Sequence, residues 1–522
     1  MAQHILKPLM EVPNQSLVTL IKKCTSLRHL KLIQAHMVRT GLIQDTFLAS
    51  KLIESSALSP HINYSHLIFS HTHHPNTFMW NTLIRGYSLS NSPSLSLSLF
   101  QQMHSLAIPP NSFTFAFLLK SCSLLQRITE GKQIHTQITK LGLDCEVPVA
   151  NGLVRLYMCC AHVENARQLF DAMTERDGIS WSVVVSGYAQ NGCAREALDL
   201  FGEMRCAEIE VDGFTLATVV GVCGDLGALD LGKWVHTYID RKGVEMDVVL
   251  GSSLVDMYAK CGSLDEALGV FELMEEKDVL AWSTMIAGYA IHGCGEKALK
   301  VFAQMKRANM RPNCVTFTSV LCACSHSGLV DVGRHHFNSM RSDYGIEPQI
   351  EHYGCMVDLF CRAGLINEAH EFIEGMPIEP NVVLWRTLLS ACKLHGYKEL
   401  GEEIGRKIIE IDPGGGENYV LVSNVYASLG RWSSVSKVRN LMKDNRVKRR
   451  HGWSSIEVNF TLHEFVMGDE SHPKSEEIYK IVDQMAKALK QEVATFFLVL
   501  YFDLSVADKR LEGISPDSAN SG

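Results

Sequence analysis

Apolar residues along much of the chain recur with helical spacing. Trp80, Leu83, Ile84 and Tyr87 stand at i, i+3, i+4 and i+7, the buried stripe of an amphipathic helix. A second type of stripe follows, carried by Ala197, Leu198, Phe201 and Met204 in one stretch and by Ala298, Leu299, Phe302 and Met305 in another. Gly192 and Gly293 lie just before these second stripes, where a residue in the left-handed conformation is wanted to end a helix. Each stretch therefore predicts a helical hairpin. A lone hairpin cannot bury both of its apolar faces, so neighbouring hairpins must stack to complete the core.

The hairpins repeat. Trp80, Trp181 and Trp282 are 101 residues apart and open the segments WNTLIRGYSLSN, WSVVVSGYAQNG and WSTMIAGYAIHG. Trp385 follows 103 residues later in WRTLLSACKLHG. Tyr157 in LVRLYMCC and Tyr258 in LVDMYAKCG keep the same 101-residue spacing, with Phe360 in MVDLFCRAG continuing the series. The expected fold is all-α, a solenoid of helix-turn-helix units with a long concave surface.

Composition narrows this picture. A chain of 522 residues is too long for one ordinary core, and 46% apolar with 20% charged residues describes a folded protein. The formal charge of −8 argues against holding nucleic acid by bulk phosphate neutralisation, so any such binding must use local contacts. None of the 16 cysteines forms a C-x-x-C pair. Cys122, Cys223 and Cys324 instead keep the 101-residue spacing, with Cys24 and Cys392 in similar contexts, and read as small buried apolar side chains. The longest apolar candidate, 494–504, contains Asp503 and is too short to span a membrane, so no membrane association is expected. Residues 1–13 hold one base, Lys7, and one acid, Glu11, and make only a weak targeting segment.

These segments resemble the plant pentatricopeptide-repeat (PPR) family, in particular its PLS class, where units of 35, 35 and 31 residues alternate and together span one 101-residue period. The matching units run 77–111, 112–146, 147–177, 178–212, 213–247, 248–278 and 279–313, followed by 314–349 and 350–381 and preceded by degenerate units at 14–45 and 46–76, a tract of about 11 repeats over 14–381. Residues 382–447 resemble the family's two E motifs, at about 382–415 and 417–447. In 448–491, WSSIEV, HEF and SHP resemble the segment that leads into a DYW cytidine-deaminase domain, while 492–522 match nothing we assign. The resemblance implies a right-handed superhelix and sequence-specific binding of single-stranded organellar RNA, in mitochondrion or chloroplast.

The family reads one base per unit with the unit's fifth and last residues. Here these are Ser50 with Asn76, Asn81 with Asn111, Asn151 with Asp177, Ser182 with Asp212, Ser252 with Asp278, and Ser283 with Asn313. Thr318 with Gln349 and Gly354 with Asn381 depart from clear pairs, as do Ala116 with Glu146 and Ala217 with Asp247. Small polar side chains suit hydrogen bonds to base edges; Asp and Asn at unit ends also suit helix capping. The family's correspondence between pairs and bases implies the target A-Y-N-U-G-N-G-A, with Y a pyrimidine and N unread, from the unit at 46 onward.

A zinc deaminase needs H-x-E together with C-x-x-C. No C-x-x-C pair occurs and no H-x-E is expected; His370-Glu371 and His463-Glu464 are wrongly spaced for it and read as helix-surface and loop residues, so no catalytic centre, metal or cofactor is expected. Gly414 to Gly416 after Asp412-Pro413 read as a turn, and Lys448, Arg449 and Arg450 as a basic turn or contact point. The implied role is site recognition in C-to-U editing, with a DYW-type deaminase or other editing factors recruited through 382–491. Transcript stabilisation or processing, and a protein-binding scaffold, are the alternatives.

Overall fold

The computed structural model describes residues 14–24, 26–57, 61–445, 453–458, 461–466, 470–485 and 487–489. The segments 1–13 and 492–522 and the basic run at Lys448 to Arg450 lie outside them. The chain divides into two compact units, Met1–Ala391 and Cys392–Gly522.

The first unit is an all-α solenoid of helical hairpins. After the pair Asn14–Lys23 and Leu27–Arg39, the first helices of successive hairpins begin at Thr46, Thr77, Ser112, Val147, Gly178, Gly213, Val248, Val279, Cys314 and Ile350. Each is followed by a second, antiparallel helix; Thr77–Ser88 is followed by Ser94–Ser105, and Gly178–Gln190 by Ala194–Cys206. The starts are set by caps. The side chains of Asn76, Asn111, Asp177, Asp212, Asp247, Asp278 and Asn313 each accept the backbone N–H three residues on, which satisfies one of the first-turn donors that a helix leaves unpaired. At the far end of two first helices, Gly192 (φ 73°) and Gly293 (φ 69°) adopt the left-handed conformation expected of them.

Stacking follows the apolar stripes. Trp80, Leu83, Ile84 and Tyr87 are all buried. Consecutive first helices pack along one another, and the second helix of each short hairpin sends a phenylalanine edge-on against the tryptophan of the next one. Phe69 meets Trp80 at 4.7 Å between centroids, Phe170 meets Trp181 at 5.0 Å and Phe271 meets Trp282 at 4.9 Å. His370 takes the phenylalanine's place against Trp385, at 6.1 Å. A parallel set of contacts joins His66 to Tyr87, His135 to Tyr157 and His236 to Tyr258, with ring nitrogen to hydroxyl distances of 2.8, 3.0 and 2.9 Å. Gly288 sits inside a helix, a position that disfavours glycine, because a Cβ there would come within 2.7 Å of the Ala259 Cβ of the preceding first helix.

Cys122, Cys223 and Cys324 form no disulfide among the described residues and are fully buried, as the spacing suggested, whereas Cys24 is only half-buried. Burial pushes the Cys122 thiol up to about 12 and that of Cys324 to about 11, so both stay protonated. No group of three or more metal-ligating side chains occurs among the described residues.

The second unit contains the helices Lys398–Ile411, Gly416–Ser428 and Trp432–Asp444. Tyr426 donates to the Glu402 carbonyl at 2.8 Å, and Arg431 lies 3.5 Å from Glu399 and 3.6 Å from Glu402. An antiparallel hairpin of β1 (Trp453–Val458) and β2 (Thr461–Val466) departs from the helical pattern, pairing Ser455 with Glu464 and Ile456 with His463. The pair His463-Glu464, expected in a loop, is therefore on a strand, and His463 Nδ1 lies 2.9 Å from His472 Nε2.

Candidate nucleic-acid interface

The unit-ending residues lie on the surface at the mouths of grooves between consecutive first helices. Asn76, Asn111, Asp177, Asp212, Asp278, Asn313 and Asn381 are all exposed. Every one of them caps the helix that follows; Asn381 accepts from Leu384 N at 3.2 Å. Capping is thus a job these residues perform whatever else they do, and it leaves the other side-chain atoms pointing out of the fold's own hydrogen-bond network.

The fifth residues sit one layer deeper. Ser50, Asn81, Asn151, Ser182, Ser252 and Ser283 are 2–8% exposed. Asn81 Nδ2 donates to Asn111 Oδ1 at 2.9 Å, and Asn151 Nδ2 to Asp177 Oδ1 at 3.2 Å, so two of the six pairs are joined directly. Two more are joined through a threonine. Ser182 Oγ is 2.6 Å from Thr215 Oγ1, whose own N–H donates to Asp212 at 2.8 Å. Ser283 Oγ is 2.8 Å from Thr316 Oγ1, whose own N–H donates to Asn313 at 2.9 Å. The pairs Ser50 with Asn76 and Ser252 with Asp278 share no bond; Ser50 donates to the Phe47 carbonyl of its own helix at 2.7 Å. Thr318 is 3.3 Å from His352 Nε2, and Asn381 has only the side-chain-free Gly354 as its counterpart.

Burial acts to raise the Asp177 carboxyl, but bonds from the Ser180 N–H, the Ser180 hydroxyl and the Asn151 amide outweigh it and hold the group below its ordinary value. The groove mouth at this position is anionic at neutral pH.

Two features of these grooves were not read from the sequence. The second residue of eight units is a large apolar side chain left in solvent: Phe47, Phe78, Phe113, Ile179, Phe214, Val249, Leu280 and Val315 are 45–66% exposed; in the units at 147 and 350 it is Pro148 and Glu351. Two cavities of about 270 Å³ show the arrangement. One is lined by Asn151 and Asp177 with Pro148 and Ile179 on either side, the other by Ser182 and Asp212 with Ile179 and Phe214. Apolar walls with a polar floor match a base lying flat between side chains, its edge turned inward. Second, Arg85, Lys120 and Arg155 stand one helical turn beyond the fifth residue in three successive units, and Lys120 and Arg155 line the same cavities. The corresponding residues further on are Ser186, Gly221 and Asp256. Both features have a sequence signal, a bulky apolar residue two places after the unit-ending Asn or Asp and a basic residue four places after the fifth.

One half of the zinc signature does occur, correcting the expectation that none of it would: His162-Val163-Glu164 has the H-x-E spacing. His162 precedes the helix Val163–Ala172 and its Nδ1 lies 2.8 Å from the Cys160 carbonyl. It lies in an inter-helix turn, with no C-x-x-C pair in the chain to complete a site.

Comparison with known proteins bears on the same segments. The PPR repeat family model matches residues 75–123 and 277–326, the PPR repeat model matches 179–209, 252–279, 315–344 and 351–378, and the E motif model matches 395–457. Pentatricopeptide repeat-containing protein At5g66520 of Arabidopsis thaliana is 42% identical over 492 residues, covering 88% of this chain and 79% of its own. The Arabidopsis thaliana protein At2g02980, described as chloroplastic, is 41% identical over 482 residues, covering 92% of this chain and 80% of its own. Among solved structures, the pentatricopeptide repeat protein PPR10 in complex with an 18-nt psaJ RNA element is similar at TM-score 0.46 and 18% identity, over 83% of this chain and 72% of that one. With hairpins of the expected length, matching repeats along the first unit and relatives at this identity covered over about four fifths of their length, the chain belongs to the pentatricopeptide-repeat family and carries its E motif.

Proposed function

We propose that this protein binds single-stranded RNA in a sequence-specific manner and marks a site for C-to-U editing in an organellar transcript, with a deaminase recruited in trans through residues 382–491. The observation that carries the reading is the set of six pairs, each a buried polar fifth residue with an exposed Asn or Asp at the unit's end, two of them lining cavities flanked by exposed apolar side chains. Stacking between the apolar walls supplies affinity that tolerates any base, and the polar pair supplies discrimination. The cations Arg85, Lys120 and Arg155, which form no ion pair among the described residues, supply the local phosphate contacts that a chain of charge −8 requires. The editing role rests on the E motif at 395–457, and the organellar setting on relatives described as chloroplastic or chloroplastic/mitochondrial.

The test is binding of the purified protein to RNA carrying A-Y-N-U-G-N-G-A against RNA with both G positions changed to U. Preference for the first, reversed in direction by Ser182→Asn together with Ser252→Asn, is the expected result. No binding to either RNA at low salt would replace this reading with that of a protein-binding scaffold.

A further inference from the structure

Five of the six fifth residues fall into two structural kinds; Ser50, bonded to the Phe47 carbonyl of its own helix, belongs to neither. In the 35-residue units that start at 77, 178 and 279, the fifth residue is already bonded to the third residue of the next unit. Thr114 Oγ1 lies 2.6 Å from Asn81 Oδ1, Thr215 Oγ1 lies 2.6 Å from Ser182 Oγ, and Thr316 Oγ1 lies 2.8 Å from Ser283 Oγ. All three threonines are fully buried, and they are 101 residues apart. Ser182 and Ser283 also donate to carbonyls of their own helices, those of Gly178 at 2.9 Å and Val279 at 2.7 Å.

The 31-residue units that start at 147 and 248 lack this contact. The third residue of the unit after Asn151 is Ser180, whose hydroxyl donates to Asp177 Oδ1 at 2.8 Å and leaves Asn151 Oδ1 alone. After Ser252 it is Ala281, which has no hydroxyl. Asn151 Oδ1 and Ser252 Oγ are, among the described residues, buried and without a hydrogen-bond partner. A native fold rarely leaves buried polar atoms in this state unless something else completes them. Asn151 lines one of the cavities of the interface.

We propose that Thr114, Thr215 and Thr316 act as clamps that set how strongly each unit discriminates bases. The clamp rests on the base-reading function proposed above and deepens it. At a clamped position the fifth residue is satisfied before RNA arrives, so a wrong base forfeits one added bond and strands nothing. At Asn151 and Ser252 the matching base completes an orphaned atom, and a wrong base buries that atom unsatisfied. The asymmetry between a bond not gained and a buried group left unpaired is worth roughly a five- to hundredfold difference in affinity. Discrimination is therefore concentrated in the short units that start at 147 and 248, 101 residues apart. The threonines are positioning residues, acting on the base through the fifth residue.

Ser182 with Asp212 and Ser252 with Asp278 are the same pair of residue types, one clamped by Thr215 and the other followed by Ala281. The test uses the full chain and the A-Y-N-U-G-N-G-A oligonucleotide, with G changed to U at the fifth or at the seventh position. Changing the seventh G is expected to weaken binding at least roughly fivefold more than changing the fifth. Thr215→Val should raise the penalty at the fifth position towards that at the seventh, and Ala281→Thr should lower the penalty at the seventh. A destabilised valine variant would show in thermal melting, and Ala281→Thr then carries the test. Equal penalties at the two positions, unmoved by either substitution, would overturn the clamp and leave base reading standing. Indifference to both G positions would overturn base reading and the clamp with it.

Discussion

Trp282 stands against Phe271 at 4.9 Å and is 8% exposed, yet it also precedes a candidate base-reading residue. Its packing and the neighbouring polar function are separable. Trp282→Ala removes a large buried ring and the partner of Phe271, and is expected to cost about 3–5 kcal/mol in denaturant unfolding. His336 offers a second residue-level outcome. Burial, with His335 and Lys306 nearby, lowers its imidazole to about 4. Its folded value is thus below the unfolded value of about 6.5, so the unfolded chain takes up the proton first as pH falls. The contribution of His336 to stability is complete above about pH 6.5 and is lost as pH falls towards 4. An NMR titration should find His336 neutral at pH 6, and His336→Phe should flatten stability over that window.

At the scale of the helix, the unit-ending residues cap a helix and are proposed to read a base, and substitution separates the two roles. Asp247 caps Val248–Lys260 through Leu250 N but is paired with Ala217, which has no polar group to offer a base. Asp247→Ala is expected to cost about 1 kcal/mol of stability in chemical unfolding, without changing base preference at any position. Asp278→Asn keeps an acceptor for Ala281 N, so the cap and the melting temperature should hold. The preference of that unit should nevertheless move from G towards A. A variant that lost stability and kept its preference would show that capping is the residue's whole role. Helix starts were legible because capping is local chemistry: a side chain reaching three residues along its own backbone needs no tertiary contact.

At the scale of the molecule, charge is unevenly placed. Arg85, Lys120 and Arg155 lie in consecutive units, while the later Asp256 is paired with Lys260 at 2.8 Å. Replacing the three cations with alanine should leave base preference intact and weaken binding most at low salt. The slope of log affinity against log salt should fall by about 2, at about 0.7 per phosphate contact on single-stranded nucleic acid. An unchanged slope would remove these side chains from the interface.

The amino-acid sequence by itself determined the hairpins, their period and the family, because helix stripes, caps and the 101-residue spacing of Trp80, Trp181 and Trp282 are one-dimensional patterns. The burial of Cys122, Cys223 and Cys324 followed from the same spacing. Tertiary structure decided what each side chain faces. Phe78, Phe113 and Phe214 look like core residues in the sequence, yet they are exposed, because a first helix packs on both neighbours through other faces and leaves its second residue at the groove. The β1–β2 hairpin hid in a short alternating run after a long helical tract. The bond between Ser182 and Thr215 joins residues 33 positions apart, and neither side chain announces it. Only the stacking of one hairpin on the next brings the two hydroxyls together, and the same stacking leaves Ser252 without a partner.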